Sequence, residues 1–211
     1  RTVDGSWNQV PTILKASDAQ EYDQFGESVS ISGSYAIVGA GYEDSNGSIQ
    51  TGAGNSGAAY IFERATNGSW NQVPTILKAS NVGGTDYFGN SVSISGSYAI
   101  VGAWKEDSNG TGPTNNSLND SGAAYIFERN TDGSWSQKIM LKASNPSGVA
   151  YFGSSVSIDG SYAIVGATGV TTGYIYIIDA NGLWNHITTL TLVSASTTCG
   201  AGGIAVVSSC L

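Results

Sequence analysis

The segment GSWNQVPTILKAS occurs letter for letter at residues 5–17 and again at 68–80, with looser copies at 133–144 (GSWSQKIMLKAS) and 182–196 (GLWNHITTLTLVSAS). A second stretch repeats in step with it: FGESVSISGSYAIVGA at 25–40, FGNSVSISGSYAIVGA at 88–103 and FGSSVSIDGSYAIVGA at 152–167. SGAAYIFER at 56–64 returns at 121–129, and GYIYIID at 173–179 is a degenerate third copy. Phe25 and Phe88 are 63 residues apart, and Phe88 and Phe152 are 64 apart. The chain is therefore a tandem array of one unit, shortened in its third copy by the loss of a loop. Units of this size bury their apolar faces by stacking on neighbours, so the array rather than the single unit is what folds.

Each unit reads as four strands. SVSIS alternates small polar residues with Val and Ile, the period of a strand with one buried face. SYAIVGA follows across a Ser-Gly or Asp-Gly turn, as at Asp159-Gly160, which predicts a hairpin. AAYIFER is almost wholly apolar and is expected in the sheet interior. The tryptophan segment is the fourth strand, preceded by Asp4-Gly5, Asn67-Gly68, Asp132-Gly133 or Asn181-Gly182, pairs that favour type I′ turns. Pro11 and Pro74 fall inside this last strand, which assigns it to a sheet edge, where a missing N–H does no harm. Four antiparallel strands, with small residues on the first, describe a β-propeller blade.

The FG…SVSISGSYAIVGA stretch resembles the FG-GAP repeat of the integrin α-subunit propeller and is closer to its bacterial extracellular relatives. The match is carried by Phe25-Gly26 with Gly39-Ala40, Phe88-Gly89 with Gly102-Ala103, and Phe152-Gly153 with Gly166-Ala167. The resemblance implies an all-β propeller, in a family whose rings have seven blades and whose blades bind Ca²⁺ through an Asp-x-Asp-x-Asp-Gly pattern that this sequence lacks. The chain divides into an orphan fourth strand with its linker (1–24), blades at 25–80, 88–144 and 152–196, and a C-terminal strand (197–211). Closed propellers have at least four blades. The array is thus expected to be a fragment of a longer propeller, a small ring closed by the two ends, or an open arc completed by neighbouring molecules.

Net charge is −8, with 16 acidic and eight basic residues. This acidity excludes binding to phosphate backbones and leaves cations, neutral glycans or surface proteins as partners. Polarity comes mainly from Ser, Thr, Asn and Gly, since charged residues are only 11% of the chain. Cys199 and Cys210, with ten residues between them, are expected to form a disulfide, which together with the scarcity of Lys points outside the cytoplasm. No run reaches the length of a membrane span, so no membrane insertion is expected. The chain opens at Arg1 without Met or leader and is expected to be processed or excised from a longer precursor.

Few residues suggest chemistry. EDSNG at 43–47 and 106–110 offers Glu43, Asp44, Asn46, Glu106, Asp107 and Asn109 as oxygen ligands for Ca²⁺, with Asx-turns as the plain alternative. Asp23 and Asp86, two residues before Phe-Gly and replaced by Ala150 in the third repeat, are expected to cap turns. Asn46, Asn67, Asn109, Asn115 and Asn119 head Asn-x-Ser/Thr sequences in loops and are candidate glycosylation sites. Trp7, Trp70, Trp135 and Trp184 recur at one blade position and are expected between blades. Trp104, which takes the place of Tyr42 in an otherwise matching loop and has no counterpart in the third repeat, is the candidate ligand-contact aromatic. His186 is the sole histidine, and no nucleophile elbow or Cys-His pair is present. The expected role is non-catalytic: an extracellular or cell-surface structural protein whose copies self-assemble through the orphan strand (Trp7, Val10, Ile13, Leu14). The alternative is a monomeric integrin-like or lectin-like module binding through loops 41–56 and 104–121.

Overall fold

The computed structural model describes residues 5–6, 13–44, 54–110 and 115–191. Within them the chain forms three four-stranded sheets, each with its strands paired in sequence order. Blade 1 comprises β1 (Ser28–Ser32), β2 (Tyr35–Ala40), β3 (Ala58–Arg64) and β4 (Trp70–Leu77). Blade 2 comprises β5 (Ser91–Ser95), β6 (Tyr98–Ala103), β7 (Ala123–Arg129) and β8 (Trp135–Leu141). Blade 3 comprises β9 (Phe152–Asp159), β10 (Tyr162–Ala167), β11 (Thr172–Ile178) and β12 (Trp184–Thr191). All pairings within the sheets are antiparallel. The expected order of strands, blade by blade, is the observed one.

The turns differ in type. Between the first two strands of each blade the turn lies one residue beyond the expected Ser-Gly or Asp-Gly pair, because Ser32, Ser95 and Asp159 still pair in the ladder. Gly33, Gly96 and Gly160 stand at the first central position with φ of 56°, 57° and 53°, as a glycine-led two-residue hairpin requires. Ahead of the tryptophan strands the expected type I′ turns do not form. Gly68, Gly133 and Gly182 have positive φ, whereas Asn67, Asp132 and Asn181 do not. Gly68 N–H donates to the Ala65 carbonyl and Ala65 N–H to the Ser69 carbonyl, which makes a longer loop closed by a glycine bulge. The Asn67 side chain accepts from Ser69 N–H at 3.0 Å, so its role is an Asx turn rather than a left-handed backbone. Pro74 lies where expected, on an outer strand and at a break in the β3–β4 register.

Blades are joined by a recurring set of contacts. Ser28 Oγ donates to the Gly89 carbonyl at 2.7 Å and Ser91 Oγ to the Gly153 carbonyl at 2.8 Å. Ser30 Oγ accepts from Ile94 N–H and Ser32 Oγ from Gly96 N–H. One junction later, Ser93 Oγ accepts from Ile158 N–H and Ser95 Oγ from Gly160 N–H. The alternation in SVSIS is therefore a division between neighbours. Its serines bond the following blade, and its Val and Ile pack on the preceding one: Val92, Ile94 and Ile158 are buried at such junctions.

The repeat's signature residues make the close approach possible. Phe88 and Phe152 are fully buried against Tyr125 and Tyr174 of their own blades, with ring centroids 5.3 and 5.2 Å apart. The N–H groups of Phe88 and Phe152 donate to the Ser56 and Ser121 carbonyls of the preceding blade, both at 3.0 Å. A Cβ on Gly102 would collide with the Gly153 carbonyl, and one on Gly39 with the Gly89 carbonyl. Two of the tryptophans complete the junctions as expected: Tyr35 meets Trp135 edge-on at 6.1 Å, and Tyr98 meets Trp184 at 5.7 Å, while Trp70 packs with Leu14 and Ala16.

Ser93→Ala tests this arrangement, because it strips the acceptor from the buried Ile158 N–H. A loss of about 1–3 kcal/mol is expected, against a change within about 0.5 kcal/mol for the exposed Ser157→Ala. Denaturant midpoints of the two variants in dilute solution provide the comparison.

Candidate functional site

Residues 13–17 of the orphan segment are described, and they form no strand. They run along the outer side of blade 1: Leu14 and Ala16 pack with Tyr60, Phe62 and Trp70, while Ser17 N–H donates to Gln72 Oε1 at 2.9 Å and Gln72 Nε2 to Ser17 Oγ at 3.0 Å. The same pair of bonds joins Ser80 to Gln137 one junction later, at 3.0 and 2.9 Å. Residues 13–17 thus sit on blade 1 as the end of β4 sits on blade 2, in the place of the tail of a preceding blade's outer strand. Trp7 and Val10 lie outside the described residues.

The acidic loops are built around lysines. Lys142 Nζ is 2.7 Å from Glu106 Oε2 and also donates to Ser121 Oγ and the Gly122 carbonyl. Glu106 Oε1 accepts from Asn81 at 2.7 Å and from Ser108 N–H at 3.0 Å. In blade 1, Glu43 pairs with Lys78, which also donates to the Gly57 carbonyl at 3.0 Å. Glu106 and Glu43 are almost wholly buried, so removing either lysine would strand a buried charge, a change that costs about 3–5 kcal/mol. Asp107 Oδ1 accepts from Asp120 N–H and Asp44 Oδ1 from Asn55 N–H. Of the candidate Ca²⁺ ligands, then, the structure turns Glu43, Asp44, Glu106 and Asp107 toward protein donors; Asn109 N–H donates to the Asn115 carbonyl, and Asn46 is outside the described residues. Among the described residues no three His, Cys, Asp or Glu side chains are arranged to hold a metal ion. The lysines were missed in the sequence reading. Their signal was there: the first two repeats have both the loop glutamate and the Lys of LKAS, and the third has neither.

Asp23 and Asp86 cap turns as expected, accepting from Gln20 N–H at 2.7 Å and Gly83 N–H at 2.9 Å. Burial, reinforced by the Glu106 charge, pushes the Asp86 carboxyl up to about 7, partly offset by the Gly83 N–H and Lys142. Burial lowers the Lys142 ammonium from its ordinary value against the opposing pull of Glu106.

Trp104 does not replace Tyr42. The register pairs Ala40 with Ala58 and Ala103 with Ala123, so Trp104 corresponds to Gly41 and Lys105 to Tyr42. The sequence comparison was one residue out of step because it matched aromatic with aromatic. In the structure Trp104 belongs to a row of half-buried rings crossing both junctions, Tyr42–Tyr87 at 5.0 Å, Tyr87–Trp104 at 5.7 Å and Trp104–Tyr151 at 5.2 Å. Lys105 Nζ lies 4.7 Å from the Trp104 ring centre. Asn67, Asn115 and Asn119 are exposed and Asn109 is half-buried. His186 lies on β12 beside Tyr174 and Tyr176, 3.1 Å from Thr189 Oγ1. Cys199 and Cys210 are outside the described residues.

A family model described as the FG-GAP repeat matches the chain three times, at residues 7–62, 70–127 and 135–178. Each match runs from a tryptophan segment into the three inner strands of the blade that follows it, which is the frame in which residues 7–17 are the start of a unit. A search of curated proteins finds no match. Among solved structures, a functionally unknown protein from Desulfotomaculum acetoxidans DSM 771 aligns with a TM-score of 0.43 at 10% identity, covering 74% of this chain. The chain spans 38% of the length of that protein.

Asp86 also makes stability depend on pH. Its carboxyl titrates higher folded than unfolded, so its favourable contribution is complete below about pH 4 and lost as pH rises through about 7. Asp86→Asn should therefore gain in melting temperature relative to the parent as pH is raised from about 5 to about 8. Paired thermal melts across that interval give the difference directly.

Proposed function

The chain belongs to the FG-GAP repeat family, and from that premise we propose that it is a non-catalytic structural module of an extracellular surface, whose work is self-assembly from propeller-type blades. The observation that carries this reading is the seat of residues 13–17 on blade 1. The segment takes the place of an outer strand's tail, and Lys15, at the position of Lys78 and Lys142, is exposed. Such a segment is suited to completing the sheet of another molecule, as donated strands do. A junction of this head-to-tail kind yields rings or filaments. Among the described residues no helix is long and apolar enough to cross a membrane.

A second reading, a monomeric module binding glycans or surface proteins, draws on the row Tyr42, Tyr87, Trp104 and Tyr151 with Lys105. Aromatic faces flanked by polar loops suit sugar rings, and the exposed Asn115 and Asn119 belong to the same loop region as the row's rim.

Removal of residues 1–17 separates the two. Under the assembly reading the parent chain forms oligomers by light scattering and the truncated chain does not. Oligomers that survive the truncation would dismiss the donated segment, and a parent that stays at the mass of one chain would favour the second reading.

A further inference from the structure

Blades 1 and 3 each carry one half of the junction that recurs at both sides of blade 2. At the internal junctions a blade's front presents three side chains from its first strand, a bare glycine and a tyrosine. The next blade's back presents the Val and Ile of its own first strand, two outward N–H groups and a glycine carbonyl. Blade 1 has such a back with nothing described upon it: Val29 and Ile31 are 67% and 66% exposed, while their counterparts Val92 and Ile94 are 8% and 4% exposed. Blade 3 has such a front. Ser155 and Ser157 stand where Ser91 and Ser93 bond the following blade, and both are exposed. Tyr162 and Ile164 are 54% and 39% exposed, whereas Ile100, the counterpart of Ile164, is fully buried.

The glycines give the same account independently. Gly39 and Gly102 are held bare by the carbonyl of the next blade, yet at Gly166 a Cβ would meet only Ser155 of its own blade. Gly89 and Gly153 are pressed against Ala58 and Ala123 of the preceding blade, yet Gly26 has nothing within 4 Å.

We propose that blade 3 of one copy docks front-to-back on blade 1 of a second copy, reproducing the internal junction between molecules. Ser155 Oγ donates to the Gly26 carbonyl, Ser157 Oγ accepts from Ile31 N–H, and the Asp159 carboxylate, in the place of Ser95, accepts from Gly33 N–H. Val29 and Ile31 are covered by β9 and β10, and Tyr162 meets Trp70 as Tyr35 meets Trp135. The groove beside β4 is already filled by the receiving chain's own residues 14–17, so the incoming blade engages through its inner strands. The loop Thr168–Val170 offers no carboxylate to Lys15, so this joint is one of hydroxyl, backbone and apolar contacts. Because front and back are different surfaces, the contact is heterologous and propagates. This inference rests on the reading of the chain as self-assembling, and it places the joint at the inner strands rather than at the donated segment.

The test uses the 211-residue chain altered at one face only. Val29→Ser/Ile31→Ser removes the apolar back, Gly166→Val blocks the front, and Ser157→Lys alters the front at an exposed position should the valine variant fail to fold. In sedimentation equilibrium the parent should self-associate with concentration. Each single-end variant should remain monomeric, with association weakened about tenfold or more. A mixture of a back variant with a front variant should form a dimer and nothing larger, because one intact front meets one intact back. Association that persists in both single-end variants but disappears on removal of residues 1–17 would overturn this joint and leave the donated segment standing. A parent that is monomeric throughout would overturn both, and a mixture that stays monomeric would overturn the front-to-back pairing.

Discussion

Where Gly102 faces the Gly153 carbonyl, no side chain could stand between blade 2 and blade 3, and the same bare approach joins Gly39 to Gly89 one junction earlier. That closeness lets a serine hydroxyl from one blade reach the carbonyl or N–H of the next, and it brings the Val and Ile of SVSIS into van der Waals contact with the blade before. A first strand at the sheet edge has outward backbone groups that water would otherwise satisfy. Here the neighbour's hydroxyls satisfy them. Small residues on the inner strands are thus a requirement of the junction, and the near identity of the first two repeats keeps it unchanged.

Within a blade a second device fixes the long loop between the second and third strands. Glu106 is nearly buried, held by Lys142, Asn81 and the Ser108 N–H, and Lys142 in turn reaches the Gly122 carbonyl where β7 begins. One ion pair therefore ties the end of an outer strand, a loop and the entry to an inner strand. Buried pairs of this kind add little net stability over apolar packing but penalise the alternatives in which one partner is unmatched. Blade 3 omits the glutamate and shortens the loop together, so its fourth strand is held chiefly by the sheet ladder and by Trp184.

Much of this was legible in the sequence because its causes are local. The blade, its strand order, the existence of the first hairpin and the edge position of Pro74 follow from period-two alternation and from what Gly and Pro permit. The family resemblance gave the fold, and the recurring tryptophans gave the junction. What escaped were properties that depend on a third element. Alternation in SVSIS reveals two faces but not that its serines serve the following blade. Asn67-Gly68 favours a tight turn, yet strand register imposed a longer loop with a glycine bulge. Matching Trp104 to Tyr42 put like with like, whereas the ladder from Ala103 onward makes it the equivalent of Gly41. EDSNG suggested an ion because its carboxylates are visible in one line of sequence. The lysines that engage them lie about 35 residues further on.

The junction bonds can be read one amide at a time. Ile94 and Ile158 N–H groups donate to serine hydroxyls of the preceding blade, while Ile31 N–H, at the same place in blade 1, faces outward with no described blade before it. Hydrogen exchange resolved at these three amides, in dilute chain, measures the junction directly. Slow exchange at Ile94 and Ile158 with fast exchange at Ile31 is the predicted result. Equal rates at all three would contradict it, since the serine contacts would then be no part of what holds one blade to the next.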